Sequence, residues 1–213
     1  MKRLGLLLAG GLALASCAPP AARNTGVYLL VDTSGSYNRQ VNKAEQITLY
    51  ALSRLQSSDS IAVARIDTGS FTEKDIIAKA TFDDRPSTAN QQKRAFASRV
   101  EKFIDQSESA PYTDITGGLL QAIEFLNEKH TARKEILILS DMKEELAKGY
   151  VRDNIPLDFK GFDVVALNVT KLRTDNFDPR LYLTRLDQWR TKVEEGGGRW
   201  RVINDLDRLD GLL

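Results

Sequence analysis

Apolar runs of two lengths alternate along the chain, and their spacing assigns most of its elements. Val27 to Val31 is uninterrupted, the pattern of a strand buried on both faces of a sheet. From about Asn38 to Gln56, Val41, Ala44, Ile47, Ala51 and Leu55 recur at helical spacing. Ile61 to Ile66 and Ile76 to Phe82 read as strands, and the polar, Gly-containing segment between them suits an antiparallel excursion at a sheet edge. A helix beginning at Pro86-Ser87 carries Phe96, Val100 and Phe103, and a third, Ile115 to Lys129, turns Leu119, Ala122, Ile123 and Leu126 inward. Glu135 to Leu139 and Asp163 to Val169 read as buried strands. Asp178-Pro179 supplies the N-cap and first residue of a helix presenting Leu183, Leu186, Trp189 and Val193, which Gly196-Gly197-Gly198 stops. A short strand near Trp200 to Ile203 and a helix from Asp205 to Leu213 complete the pattern. Short strands alternating with helices specify an α/β domain: a doubly wound, mostly parallel central sheet with one antiparallel edge strand.

The chain's 213 residues suffice for one such domain and are short for two. Hydrophobic residues at 42% and charged residues at 28% match an ordinary globular protein. Lys and Arg number 30 against 29 Asp and Glu, with no basic stripe or aromatic RNA-binding motif, so nucleic-acid binding has no support.

Residues 1–16 are a separate object. Lys2 and Arg3 precede an apolar stretch, Leu4 to Ala15, that is too short for the roughly 20 residues a bilayer span needs. The stretch ends in Leu14-Ala15-Ser16-Cys17, which resembles the lipobox of bacterial lipoproteins. That likeness implies an exported protein lipidated on Cys17, the chain's one cysteine, and held at a membrane by its acyl chains. Ala18 stands where aspartate often marks inner-membrane retention, so the expected location is the outer membrane, facing the periplasm. Ala18 to Thr25, with Pro19-Pro20, reads as a tether, leaving 26–213 as the domain. A single cysteine permits no internal disulfide.

The residues suited to chemistry cluster at the ends of predicted elements. Asp32-Thr33-Ser34-Gly35-Ser36 follows the first strand as a D-x-S-x-S pattern. Ligands of open α/β sheets bind outside the carboxyl ends of the strands, where strand order reverses. One carboxylate and two hydroxyls are hard oxygen donors that suit Mg²⁺ or Mn²⁺ better than zinc. Asp32 and Ser34 equally suit the capping of the following helix. Thr113-Asp114 precedes the third helix, and Ser140-Asp141 follows the strand that ends at Leu139.

With these three pieces in order, the chain from Gly26 to Leu213 resembles the von Willebrand factor A family. The family's metal-ion-dependent adhesion site places its residues at the positions of Asp32, Ser34, Ser36, Thr113 and Asp141. The resemblance implies that Ser34 and Ser36 coordinate the cation directly, Thr113 directly or through water, and Asp32 and Asp141 mostly through water. One octahedral position then stays open for a glutamate or aspartate of a protein partner. The family often has glycine after the last aspartate, whereas Met142-Lys143-Glu144-Glu145 follows here. The two glutamates read either as the acidic first turn of a helix or as internal competitors for the metal.

Other motifs carry less. His130, the one histidine, sits at a polar helix end without a nucleophile partner, and Gly196 to Gly198 lacks the Gly-Lys-Ser/Thr of a phosphate loop. Trp189 and Trp200 read as core or core-edge residues. The function expected is therefore a non-enzymatic binding module gripping an acidic group of a protein through the cation. Two alternatives are a metal that only stabilises an assembly component, and Mg²⁺-dependent phosphotransfer. The latter needs a second aspartate where Ser34 stands.

Overall fold

The computed structural model describes residues 24–213 apart from Ser36, Asn154 and Asp210, so the expected leader, Cys17 and Ser36 lie outside the described residues. Six strands, Thr25–Asp32 (β1), Ser60–Ile66 (β2), Ile76–Thr81 (β3), Arg133–Leu139 (β4), Phe162–Leu167 (β5) and Arg199–Ile203 (β6), form one sheet in the order β3-β2-β1-β4-β5-β6. All neighbours are parallel except β2 and β3, which gives the expected antiparallel edge.

Four helices, Lys43–Arg54 (α1), Pro86–Asp105 (α2), Ile115–Glu128 (α3) and Pro179–Glu195 (α4), cover the sheet in pairs. Alternation along β1 divides the core in two. Val27, Leu29 and Val31 pack with α1 and α2 residues such as Ile47 and Phe96. Tyr28 and Leu30 pack with Leu119, Leu126 and Trp189 of α3 and α4. Burial on both sides is why the strand shows no polar alternation in sequence. Gly118 lets α3 approach β1 closely, since a Cβ there would lie 2.9 Å from Leu30 Cδ2.

Four sequence expectations need correction. The helix expected from Asn38 begins at Lys43, preceded by a 3-10 turn over Asn38–Gln40. Buried Tyr37 holds that segment down by donating its hydroxyl to Asn168 O at 2.8 Å. No helix closes the chain: the described residues of 205–213 are turns and irregular backbone. Leu206, Leu209 and Leu212 are buried at helical spacing, but Gly211 adopts φ +85° and Arg201 donates to its carbonyl oxygen at 2.8 Å and to that of Leu212 at 3.3 Å. Side-chain donors thus replace the helical ladder. Leu183 is 63% exposed, because the inward stripe of α4 runs through Tyr182, Leu186, Trp189 and Val193. Finally, Lys143-Glu144-Glu145 starts no helix, and the tertiary contacts of these residues appear below.

Candidate functional site

Strand order reverses between β1 and β4. The chain leaves β1 for β2 on one side and later inserts β4 on the other, so the connections diverge and open a crevice at the carboxyl edge. Register brings Val31 opposite Leu139, which sets Asp32 level with Ser140 and beside Asp141.

Asp32 is fully buried there. Its Oδ1 accepts from Ser34 N at 2.8 Å, curling the loop back over the strand end, and its Oδ2 accepts from Ser140 Oγ at 2.6 Å. Burial lifts the Asp32 carboxyl to about 6, opposed by the hydrogen bonds from Ser140 and Ser34 and reinforced by the negative charge of Asp141. Asp141 is 1% exposed, and its Oδ1 accepts from Lys143 N at 2.9 Å. The two carboxylates therefore lie in each other's field inside the protein. Ser34 joins Ala110 in an isolated bridge, with Ala110 N donating to Thr33 O at 2.8 Å, so the α2–α3 connection lies against the β1 loop.

Thr113, 2% exposed, is fixed by a two-bond exchange with Glu145: Thr113 N donates to Glu145 O at 2.8 Å, and Glu145 N to Thr113 O at 2.9 Å. The next residue, Asp114, caps α3 by accepting from Gly117 N at 2.8 Å. Arg152 grips the same carboxylate through Nε and one terminal nitrogen, the latter 2.6 Å from Oδ2. Glu144 Oε1 accepts from Thr116 N at 2.6 Å. The glutamates that read as a first helical turn thus serve a different helix: Glu144 caps α3 and the Glu145 backbone holds Thr113. Two carboxylates at the amino end of α3 complement its dipole.

The structure brings Asp32, Ser34, Thr113 and Asp141 to one edge of the sheet. Among the described residues, no three His, Cys, Asp or Glu side chains come together as a metal-binding group. A cation at this edge would depend on hydroxyl oxygens together with the two carboxylates, a hard donor set of the kind Mg²⁺ and Mn²⁺ accept. Relief of the repulsion between Asp32 and Asp141 would favour such an ion.

The backbone superposes on that of a von Willebrand factor type A protein from Catenulispora acidiphila with a TM-score of 0.56 over 87% of this chain, at 17% identity. It superposes on the pilus adhesin SpaC from Lactobacillus rhamnosus GG, in its open conformation, with a TM-score of 0.53 over 87%, at 11% identity. The fold is that of a von Willebrand factor A domain. This chain spans 40% of the first protein's length and 28% of the second's. No protein-family model matches the sequence, and no curated protein does.

Within this von Willebrand factor A fold, the backbone of Met142, next after Asp141, takes φ +63°, the left-handed conformation that favours glycine. Its side chain is fully buried in the α3–α4 core, and its carbonyl accepts from Trp189 Nε1 at 2.9 Å. Packing and that hydrogen bond offset a backbone strain of about 1–2 kcal/mol. Met142→Gly is therefore expected to be more stable than Met142→Ala by about 1 kcal/mol, although both lose the buried side chain. Urea unfolding of the two variants measures the difference, and the reverse order would refute the strain.

Sequence reading missed several residues that shape this edge. Ser140 was legible as a strand-end neighbour of Asp141, but its hydroxyl bond to Asp32 depends on register. Arg185 of α4 donates from Nε to Asp141 O at 2.9 Å, and its terminal nitrogens reach the Asp175 carboxylate at 3.2 and 2.8 Å. Asn168, at φ +50°, receives Tyr37 and also accepts from Lys43 Nζ at 2.8 Å, tying the β5 end to the β1 loop. No local motif announces any of these contacts. His130 lies just beyond α3, exposed and at φ +50°, apart from the site residues in chain and sheet position.

Proposed function

We propose that the chain is a protein-binding module in which Asp32, Ser34, Ser36, Thr113 and Asp141 hold a divalent cation, Mg²⁺ or Mn²⁺, and an acidic side chain of a partner protein completes its coordination. The observation that carries the reading is the pair of buried carboxylates at adjacent strand ends, Asp32 and Asp141, each oriented by a backbone N–H and accompanied by hydroxyl donors. A cation held mainly through neutral oxygens keeps a strong attraction for an added carboxylate. SpaC, which shares the fold, is a pilus adhesin. The module works without catalysis, anchored through lipid on Cys17 at the outer membrane and facing the periplasm. No helix among the described residues is long and apolar enough to cross a membrane.

Manganese binding to the full chain, followed by electron paramagnetic resonance, tests the metal. One saturable site is expected, weakened at least tenfold in Asp32→Ala and in Thr113→Val, with unchanged far-ultraviolet circular dichroism. A chain that takes up no Mn²⁺ at millimolar concentration, or variants that bind as well as the parent, would overturn the reading. Survival of partner capture in EDTA would confine the metal to a structural role.

A further inference from the structure

Beside the β1 loop lies a cavity of about 460 Å³ that the metal reading leaves unused. Thr33, which separates the two candidate ligands Asp32 and Ser34, forms part of its wall. Three cationic side chains line it: Arg65 from β2, and Arg99 and Lys102 from α2. Arg99 and Lys102 are three residues apart and so share one helix face. Arg65 is held in place by Asp75 at 3.2 Å and Asp67 at 3.5 Å, which offset its charge. Among the described residues no carboxylate pairs with Arg99 or Lys102. Ser107 is also part of the wall, and its hydroxyl oxygen is buried without a hydrogen-bond partner among the described residues. One acidic residue, the exposed Glu108, shares the lining.

Lys102 complements the carboxyl end of α2. That role needs neither Arg99 on the same face nor an unused hydroxyl beside it. An oxyanion in the cavity would accept from both cations, and a rotamer change of Ser107, whose buried hydroxyl has no hydrogen bond to give up, would turn a third donor toward it.

We propose that this cavity is a second acidic-residue site, which binds a glutamate or aspartate side chain of a protein partner through Arg99, Lys102 and Ser107. Because Thr33 connects the two sites, one acidic segment can engage both. Only that bridging rests on the metal reading, since the cavity itself needs no cation.

The test titrates the full ¹⁵N-labelled chain in EDTA with tetraglutamate and, separately, with inorganic phosphate. Tetraglutamate is expected to shift the Thr33, Gln106 and Ser107 amide resonances saturably. Affinity should fall as salt is raised, and at least tenfold in the Arg99→Gln/Lys102→Gln double variant. Arg94→Gln removes the same kind of charge from another face of α2 and should bind as the parent does. Unperturbed resonances, or equal losses in Arg94→Gln and the double variant, would overturn the proposal. So would phosphate binding without tetraglutamate binding. Repeating the titration in Mg²⁺ separates the two readings. A gain over EDTA that Asp32→Ala abolishes supports the bridge, whereas EDTA-resistant binding with no such gain leaves the cavity standing and removes the metal from recognition.

Discussion

Arg185→Ala is expected to lower the stability of the domain by about 3–5 kcal/mol, because it strands a buried charge and a buried carbonyl together. The Arg185 side chain is 11% exposed and its partner carboxylate, Asp175, is fully buried. Without the guanidinium, Asp175 is left chiefly with the N–H of Leu172, and Asp141 O loses its donor from α4. The hydrogen bond from Arg185 is the main cause that holds the Asp175 carboxyl below its ordinary range, against the opposing effect of burial. A depressed carboxyl adds stability that is present above the unfolded-state value, about 3.9, and is lost as pH falls through the folded one. The gap between parent and variant should therefore be full at pH 7 and narrow below about pH 4. Chemical denaturation at pH 7, 5 and 3.5 measures it. A gap that stays constant on acidification would show that lost packing, rather than the ion pair, sets the loss. On the metal reading, Mn²⁺ affinity should fall as well, since the Asp141 backbone is released, while Asp32 and Thr113 are untouched.

Glu135→Gln should have the opposite sign and stabilise the domain by about 2–3 kcal/mol at pH 8. The Glu135 side chain is fully buried on β4, and neither oxygen has a hydrogen-bond partner among the described residues. Arg133 Nε lies 2.8 Å from Oε1 without the alignment of a hydrogen bond, and Arg201 is 3.8 Å from Oε2. In register on β5 stands Asp163, paired with Arg199. Burial first, and the Asp163 charge second, raise the Glu135 carboxyl to about 7, with Arg133 and Arg201 opposing. A raised carboxyl binds its proton more tightly in the folded state, so stability is complete below the unfolded-state value of about 4.3 and declines as pH rises toward the folded one. A tenfold difference in proton affinity between the two states corresponds to about 1.4 kcal/mol. Parent and variant should unfold alike near pH 4, and the variant should gain through pH 5–7 until the difference levels off. Equal stability of the two chains at pH 8 would show that the neighbouring arginines already compensate the charge.

Both residues illustrate what a local pattern can reveal. Glu135 reads as the first residue of a buried strand, and nothing nearby shows that its carboxylate lacks aligned donors. Arg185 falls between the apolar positions of an amphipathic helix, and no local pattern marks it as the partner of a buried carboxylate. The α4 stripe was legible through Trp189 and Val193, whereas Leu183 misled because one residue of rotation separates a buried position from an exposed one. The terminal leucines misled in another way: spacing by three buried them, but Gly211 and the donors of Arg201 supplied a non-helical way to do it. Met142 announced itself as a departure from glycine without disclosing that its backbone would still adopt the glycine conformation.

Local patterns along the chain were enough to place the six strands and four helices found among the described residues, the antiparallel edge, the strand-end positions of Asp32 and Asp141 and the place of Thr113 just before α3, but they also called for a fifth helix, Asp205 to Leu213, that the described residues there do not form. Those features follow from which side chains avoid water and from residues that start or stop an element within a few positions. The tertiary structure decided the rest: the Ser140 bond to Asp32, the Glu144 cap on α3, the Glu145 brace on Thr113, the Arg185 clamp on Asp141 and the cationic cavity beside Thr33. Each joins residues distant in sequence, and such contacts arise only once register and helix docking bring separate loops to the same edge of the sheet.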